Sequence, residues 1–361
     1  MTETLACAIV GTGDVARLHA EAVRAHPHAR LAAVTNQTRS KAEAFAERWG
    51  HPAVYDTLDE LLAAEHPDVV IICTPPGVHR AQTLASFAAG AHVLLEKPAA
   101  LSLGELDDMR AAATAANREL AIVFQQRTGT AAAHVRGLLQ SGALGRPLLA
   151  QCQTLWYRDA DYFAVPWRGT WQSEGGGTTL GHGIHQIDLL AYLLGDWTAV
   201  RAQLWRLDRG TQTEDASTAT VVFAGGVVAQ VVSSAVSPRQ TSALRIDTQR
   251  ATVTLDHLYG HDHSHWRITP APGVPDEEAA TWALPEREEA SGHAVLVRDV
   301  LDALVAHVPL PSTADPLRSF ELVTAMYASA RADGTTVVPA DLADAALRRR
   351  GFEAPVADLH R

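Results

Sequence analysis

The tightest constraint on this chain lies in its first sixteen residues. Leu5-Ala6-Cys7-Ala8-Ile9-Val10 is an unbroken apolar run, which a strand tolerates when both of its faces are covered. It passes directly into Gly11-Thr12-Gly13-Asp14-Val15-Ala16, and helical spacing follows to Ala25. A buried strand, a small-residue turn and a helix in succession predict the opening of a parallel α/β sheet. In that setting Gly11 permits the tight turn, Gly13 lets backbone approach a pyrophosphate, and Ala16 keeps helix and strand close. The helix start then faces the phosphates. The alternation continues, with strands at 31–35, 68–73, 92–96 and 120–124 and helices at 39–49, 58–64, 78–89 and 103–117. Right-handed crossovers put a ligand at the carboxyl ends of such strands, which here carry Gly11, Asn36, Thr74 and Lys97.

After Phe124 the pattern changes. A helix at 130–141, a strand at 148–157 and a helix at 183–194 precede alternating strands at 199–207, 216–223, 227–234, 243–247 and 251–255. Residues 270–289 read as a loop, and helices follow at 292–307 and 316–332. The expected fold class is α/β: a Rossmann doubly wound parallel sheet over 1–124, then an α/β domain over 125–338 with a large, open, mostly antiparallel sheet. Residues 339–361 read as a peripheral tail.

Composition narrows the function. With 361 residues, 47% hydrophobic and 20% charged, the chain suits a two-domain globular enzyme. A formal charge of -11 and no long basic run argue against nucleic acid or an acidic membrane surface as partner. No apolar stretch approaches the ~20 residues of a membrane span. The first apolar run is too short for a secretory signal. Cys7, Cys73 and Cys152 are odd in number, and the first two sit in strand-like runs, so buried thiols in a reducing cytoplasm are expected. His257, His261, His263 and His265 stand close in sequence, with Asp256 and Asp262 the acids nearby. They read as a solvated hairpin, and no metal is expected.

The tip of the second strand bears on cofactor choice. Val34-Thr35-Asn36-Gln37-Thr38-Arg39-Ser40-Lys41 lacks the acid that often holds a ribose 2′-hydroxyl. Asn36 does not repel a 2′-phosphate, and Thr38, Arg39 and Ser40 can donate to one. The stretch leans to NADP over NAD; the plainer alternative is that Arg39 and Lys41 solvate a helix start. Glu96-Lys97-Pro98 closes the fourth strand. A lysine there can polarise a carbonyl or stabilise a forming alkoxide, or it forms a surface ion pair. Trp156-Tyr157-Arg158-Asp159, Tyr162-Phe163 and Trp167-Arg168 combine aromatic faces with charge. They suit a sugar-like ligand or a packed interface loop.

In order along the chain stand Gly11-x-Gly13-x-x-Ala16, Thr74-Pro75-Pro76 with His79, and Gly90-Ala91-His92-Val93-Leu94-Leu95-Glu96-Lys97-Pro98. Then come Gly142-x-Leu144-Gly145, Trp167-Arg168-Gly169, Gly175-Gly176-Gly177, His185-Gln186-Ile187-Asp188 and Ala325-x-Tyr327-x-Ser329-Ala330. This ordered set resembles the Gfo/Idh/MocA oxidoreductases over nearly the whole chain. The resemblance implies hydride transfer between NAD or NADP and a sugar, cyclitol or related polyhydroxy or keto compound, in a homodimer or homotetramer. It implies a cofactor set of Gly11, Thr12, Gly13, Asp14 and Val15 at the first turn, and Asn36, Thr38 and Arg39 at the second strand. Thr74, Pro75, His79, Glu96 and Lys97 complete that set. It also implies Lys97 as the active-site lysine and His185 as the proton acceptor or donor, a task suited to imidazole. Tyr157, Trp167 and Arg168 become candidate substrate contacts. One departure stands out: many members carry Asp or Asn where this chain has Gly181, and His182 is the neighbour available to partner His185. That gap leaves two other readings open, a cofactor-binding sensor without catalysis and an NAD-assisted elimination or glycoside cleavage through a keto-sugar.

Overall fold

A computed structural model describes residues 4–310, 317–353 and 357–358. In chain order the elements are β1 (Leu5–Val10), α1 (Ala16–Ala25), β2 (Ala29–Thr35), α2 (Arg39–Arg48), β3 (Ala53–Tyr55), α3 (Leu58–Glu65), β4 (Val69–Ile72), α4 (His79–Ala88), β5 (His92–Leu95), α5 (Leu103–Ala116) and β6 (Leu120–Ile122). There follow α6 (Thr130–Ser141), β7 (Pro147–Tyr157), α7 (Ala160–Phe163), α8 (Ile184–Leu194), β8 (Trp197–Arg206), β9 (Ala216–Phe223), β10 (Val228–Ser234), β11 (Val236–Thr248), β12 (Ala251–Leu255) and β13 (Trp266–Pro270). The chain closes with α9 (Asp276–Ala280), α10 (His293–Ala306), α11 (Leu317–Arg331), α12 (Ala345–Arg349) and β14 (Ala357–Asp358).

The first compact unit takes in the chain to Gln125 and returns for a segment beginning at His293. Its six strands are all parallel, in the order β3-β2-β1-β4-β5-β6. The chain builds outward from β1 in one direction and from β4 in the other. The crevice between the carboxyl ends of β1 and β4 is therefore the topological switch point, where doubly wound sheets bind ligands. β1 and β4 are buried along almost their whole length, as unbroken Val and Ile runs require. β3 had no clear signature in the sequence; it is three half-buried residues at a sheet edge.

The helix expected at 292–307, grouped in sequence with the second domain, belongs to this first unit as α10. Its apolar stripe Leu296, Val297, Val300, Leu301 and Leu304 joins the core that holds Ala16, Ala20 and Val23 of α1. His26, the residue that follows α1, meets Asp302 of α10 at 3.1 Å.

The second unit spans Gln126 to Gly292 and the chain from Leu317. Its eight-stranded sheet runs β13-β12-β11-β7-β10-β9-β8-β14. Two pairings are parallel, β7 with β10 and β8 with β14, and the rest are antiparallel. β11 is longer than the 243–247 read from sequence, because its first half is polar and breaks register opposite β7. β13 and the short α9 occupy residues that sequence patterning leaves around and inside the 270–289 loop. The described part of the tail is not all peripheral: Leu342 and Phe352 are buried, and Phe352 packs on Phe320 and Tyr327. Residues 354–356 and 359–361 of that tail, and Pro316 of the last long helix, lie outside the described residues. Cys7, Cys73 and Cys152 are free thiols. Among the described residues no helix is long and apolar enough to cross a membrane.

The expected solvated histidine hairpin is only half right. His257 and His265 stack at 4.2 Å, but His261 is buried, with Nε2 3.0 Å from the Gln126 carbonyl and Nδ1 accepting from Trp266 Nε1 at 3.1 Å. That pair of bonds suits the neutral ring, and burial lowers the His261 pKa from 6.5 to about 4. Between those values the unfolded chain binds a proton that the folded chain refuses, so stability falls as pH drops from 6.5 to 4 and is intact above 6.5. The full effect is on the order of 3 kcal/mol. His261→Gln keeps one donor and one acceptor, and its urea midpoint should fall less steeply over that interval. An unchanged slope removes His261 as the source.

Candidate active site

The β1–α1 turn has the geometry the sequence demands. Gly11 has φ +88°, and a Cβ there would stand 2.9 Å from the Cys73 carbonyl oxygen and 3.0 Å from Thr74 Cγ2, so only glycine fits. Gly13 is the opposite case: a Cβ there would meet no described atom within 4 Å. α1 begins without a side-chain cap and without an acid in its first turn. No side chain of the turn therefore competes for the helix start, the end of a helix that favours an anionic pyrophosphate. The residues present fit a dinucleotide.

At the end of β2, Asn36 donates from Nδ2 to Thr12 Oγ1 at 2.8 Å, tying the two strand tips together. Thr38 precedes α2 but makes no side-chain cap. Arg39 does not stand ready for a phosphate: its Nε meets Glu43 Oε1 and its Nη1 meets Asp56 Oδ1, both at 2.8 Å. Two carboxylates thus flank the Arg39 guanidinium.

Two of the expected cofactor residues, His79 and Glu96, are buried and engaged by other protein groups. His79 is fully buried, with Nε2 2.7 Å from the Thr74 carbonyl and Nδ1 3.0 Å from the Pro98 carbonyl. It clasps the loops after β4 and β5. Burial pushes its pKa down, against the pull of those carbonyls. Glu96 is likewise buried, and its Oε1 takes His19 Nε2 at 2.8 Å and His293 Nε2 at 3.1 Å. Burial alone would raise the Glu96 pKa, but the hydrogen bonds from the two histidines hold it well below the usual carboxylate range. Among the described residues this is the one group of three His, Cys, Asp or Glu side chains whose ligand atoms lie within 4.8 Å of one another. Sequence reasoning did not find it, since its members lie far apart in the chain. Glu96 also accepts the Lys97 backbone amide at 3.2 Å, and the Lys97–Pro98 peptide is cis. Lys97 itself is half-buried at the end of β5. Thr74 bonds Gln82 at 2.6 Å, and Pro75 leads into the turn Pro76–Val78.

In the second unit, the glycine triplet serves close packing. A Cβ on Gly177 would stand 1.9 Å from the Glu214 carbonyl oxygen. The buried Glu214 carboxylate accepts from Gly177 N and Thr179 N at 3.0 Å and from the Tyr327 hydroxyl at 2.7 Å. Burial pushes its pKa up, and those donors pull the other way. The chain then makes a π-helical turn, Thr179–Gly183, a geometry common at functional sites. This turn presents His182, and α8 presents His185; both are buried. Asp188, three residues on, anchors α8 through Arg127 and Ser319.

The two histidines share one aromatic wall. Trp156 meets His182 edge-on at 5.0 Å and Tyr259 at 5.9 Å, and Tyr259 meets His185 at 5.3 Å. The Tyr162 hydroxyl stands 3.0 Å from His182 Nε2. The Arg168 guanidinium lies over the rings of Tyr162 and Trp167 at 3.8 and 4.4 Å. So Arg168 and Trp167 stand beside the histidine network. Tyr157 does not: strand alternation turns it away from its neighbour Trp156, and it is exposed beneath Arg209. Its neighbour Trp156 is the one that faces the histidines. Tyr259 had no usable signal, being a lone loop tyrosine.

A switch point over a glycine turn with room for a pyrophosphate, beside a strand-end lysine, defines a nicotinamide-dinucleotide oxidoreductase. The comparisons agree. Residues 5–124 match the model of an oxidoreductase family with an NAD-binding Rossmann fold, and residues 132–273 match the GFO/IDH/MocA C-terminal domain. The chain is 30% identical over 281 residues to the D-glucoside 3-dehydrogenase of Escherichia coli (strain K12), covering 71% of this chain and 78% of that protein. It is 32% identical over 275 residues to the dTDP-3,4-didehydro-2,6-dideoxy-alpha-D-glucose 3-reductase of Streptomyces violaceoruber, covering 73% and 77%. In fold it resembles the WlbA dehydrogenase from Bordetella pertussis, solved with NADH and UDP-GlcNAcA, with a TM-score of 0.83 at 23% identity, covering 93% of this chain and 98% of that one. The chain belongs to the Gfo/Idh/MocA family of NAD(P)-dependent dehydrogenases and reductases.

Proposed function

We propose that this enzyme oxidises a secondary ring hydroxyl of a sugar or cyclitol, and reduces the matching ketone in the reverse direction. The observation that carries the reading is Lys97, half-buried at the end of β5 in the sheet whose β1 turn is open at Gly13. The ammonium would stabilise negative charge forming on the reacting oxygen. His185 would take or return its proton. Trp167 and Arg168 would hold the ring by stacking and hydrogen bonding. The bound nicotinamide supplies one capacity, that of accepting or giving hydride. Two relatives are named for chemistry at position 3 of a sugar, so that carbon is the first to test. A homodimer or homotetramer is the proposed assembly, to be checked by light scattering.

The test is the formation of reduced nicotinamide over a panel of glycosides, nucleotide sugars and cyclitols, with the product carbonyl located by NMR. At least one sugar should give stoichiometric reduced cofactor and a ring ketone. Tight cofactor binding with no reduction by any of them overturns the reading.

For the cofactor, the paired state of Arg39 supports NAD over NADP. Replacing both Asp56→Asn and Glu43→Gln should tighten NADPH by about tenfold, since each acid repels a 2′-phosphate nearby. NADH affinity should stay within about twofold, measured by fluorescence titration. A parent protein that prefers NADPH sinks the NAD assignment.

A further inference from the structure

Gly181 stands inside the π-helical turn directly before His182, yet nothing in the turn requires a glycine there. Its φ lies outside the left-handed region, and a Cβ would meet one described atom within 4 Å, Glu174 Oε1 at 3.8 Å. The space beside the bare Cα is thus bordered by a carboxylate from seven residues upstream. Glu174 is buried, and a buried carboxylate is costly to keep unless it is well engaged. Its Oε2 accepts the Gly169 amide at 2.6 Å, and its Oε1 stands 3.9 Å from Arg168 Nη1. Arg168 donates to the Tyr162 hydroxyl, and that hydroxyl stands 3.0 Å from His182 Nε2. Arginine has only donors to offer, so the Tyr162 oxygen accepts from it and the tyrosine proton is available to the Nε2 of a His182 tautomer protonated at Nδ1. Burial raises the Tyr162 pKa, which keeps that proton in place.

We propose that Glu174 is the positioning carboxylate of this site: it borders the space that a side chain at 181 would fill and, through Arg168 and Tyr162, sets the orientation of the His182 ring. A base held by a third group in this way is a recurring arrangement for proton transfer; the Glu174–Arg168 link is an ion pair, and the two links that follow are hydrogen bonds. The inference rests on the sugar-oxidoreductase reading above for its kinetic consequence, but its structural part stands on the side-chain chain alone.

Glu174→Gln retains shape and an acceptor for Gly169 but loses the charge. It should lower kcat about 10- to 100-fold, the usual cost of losing an orienting partner, with cofactor KM and melting temperature unchanged. Adding Gly181→Asp to that variant returns a carboxylate to the same space and should recover much of kcat, which a purely structural role would not allow. The 15N resonance of His182 Nε2 should move in Tyr162→Phe and in Glu174→Gln, read without any substrate. A Glu174→Gln enzyme with parental kcat overturns the proposal. So does a lost kcat that Gly181→Asp leaves unrecovered, or a His182 signal indifferent to Glu174→Gln. If Glu174→Gln does not fold, Glu174→Asp and Tyr162→Phe carry the same NMR test. A shifted His182 signal together with no turnover on any sugar would sink the substrate reading and leave the positioning role standing.

Discussion

A Lys97→Met enzyme should bind NADH as tightly as the parent and turn substrate over about a thousandfold more slowly, the usual scale for removing a charge-stabilising group from a reaction centre. Methionine keeps the length and apolar stem of lysine and removes the ammonium. The backbone at 97 is held independently of that ammonium, by the Glu96 carboxylate on the Lys97 amide. The clasp of His79 on the Thr74 and Pro98 carbonyls is also untouched. The loss should therefore appear in kcat, with NADH affinity by fluorescence titration as the control. Turnover within about fivefold of the parent, about 1 kcal/mol by the rate relation, would take Lys97 out of the chemistry.

Asp188→Ala should cost about 3–5 kcal/mol of stability in urea unfolding, the range for breaking a buried ion pair on one side. Asp188 and Arg127 are both buried, with Arg127 Nε 2.7 Å from Asp188 Oδ2, and Ser319 from α11 joins them. Burial raises the Asp188 pKa, and Arg127 opposes that rise. Removing the carboxylate leaves the guanidinium charge in an apolar setting. The larger part of the loss should return when Arg127→Met is added to Asp188→Leu, because an apolar pair of similar volume no longer carries a buried charge. A single Asp188→Ala variant within about 1 kcal/mol of the parent would show that the pair is not what anchors α8.

Much of the first unit was legible in the sequence because strands buried on both faces must be apolar throughout. The run from Leu5 to Val10 and that from Val69 to Ile72 admit few other readings. β3 was not legible, since a short edge strand needs neither burial nor alternation. The helix α10 was visible as a helix but its destination was not: an apolar stripe says that a helix must cover something, and nothing local says what. For the site, Gly11, Gly13 and His185 could be read because backbone conformation and motif order point at them. The buried partners of His79 and Glu96 were not legible, because polarity is visible in sequence and direction is not. That Tyr157 and Trp156 face opposite ways was legible, for alternation along β7 separates them. Glu174 had no local signal, since its closeness to Gly181 exists only once the turn has folded.

The late arrival of α10 has a consequence for the birth of the molecule. At synthesis rates of about 5–20 residues per second, the stretch from Gln126 to Gly292 takes on the order of ten to thirty seconds to emerge. Throughout that time the apolar side of α1, with Ala16, Ala20 and Val23, waits for Leu296, Val297 and Val300. The nucleotide-binding half is begun first and completed only after β13, so a ribosome halted at that point carries a first unit whose seam is still open to chaperones and to other nascent chains.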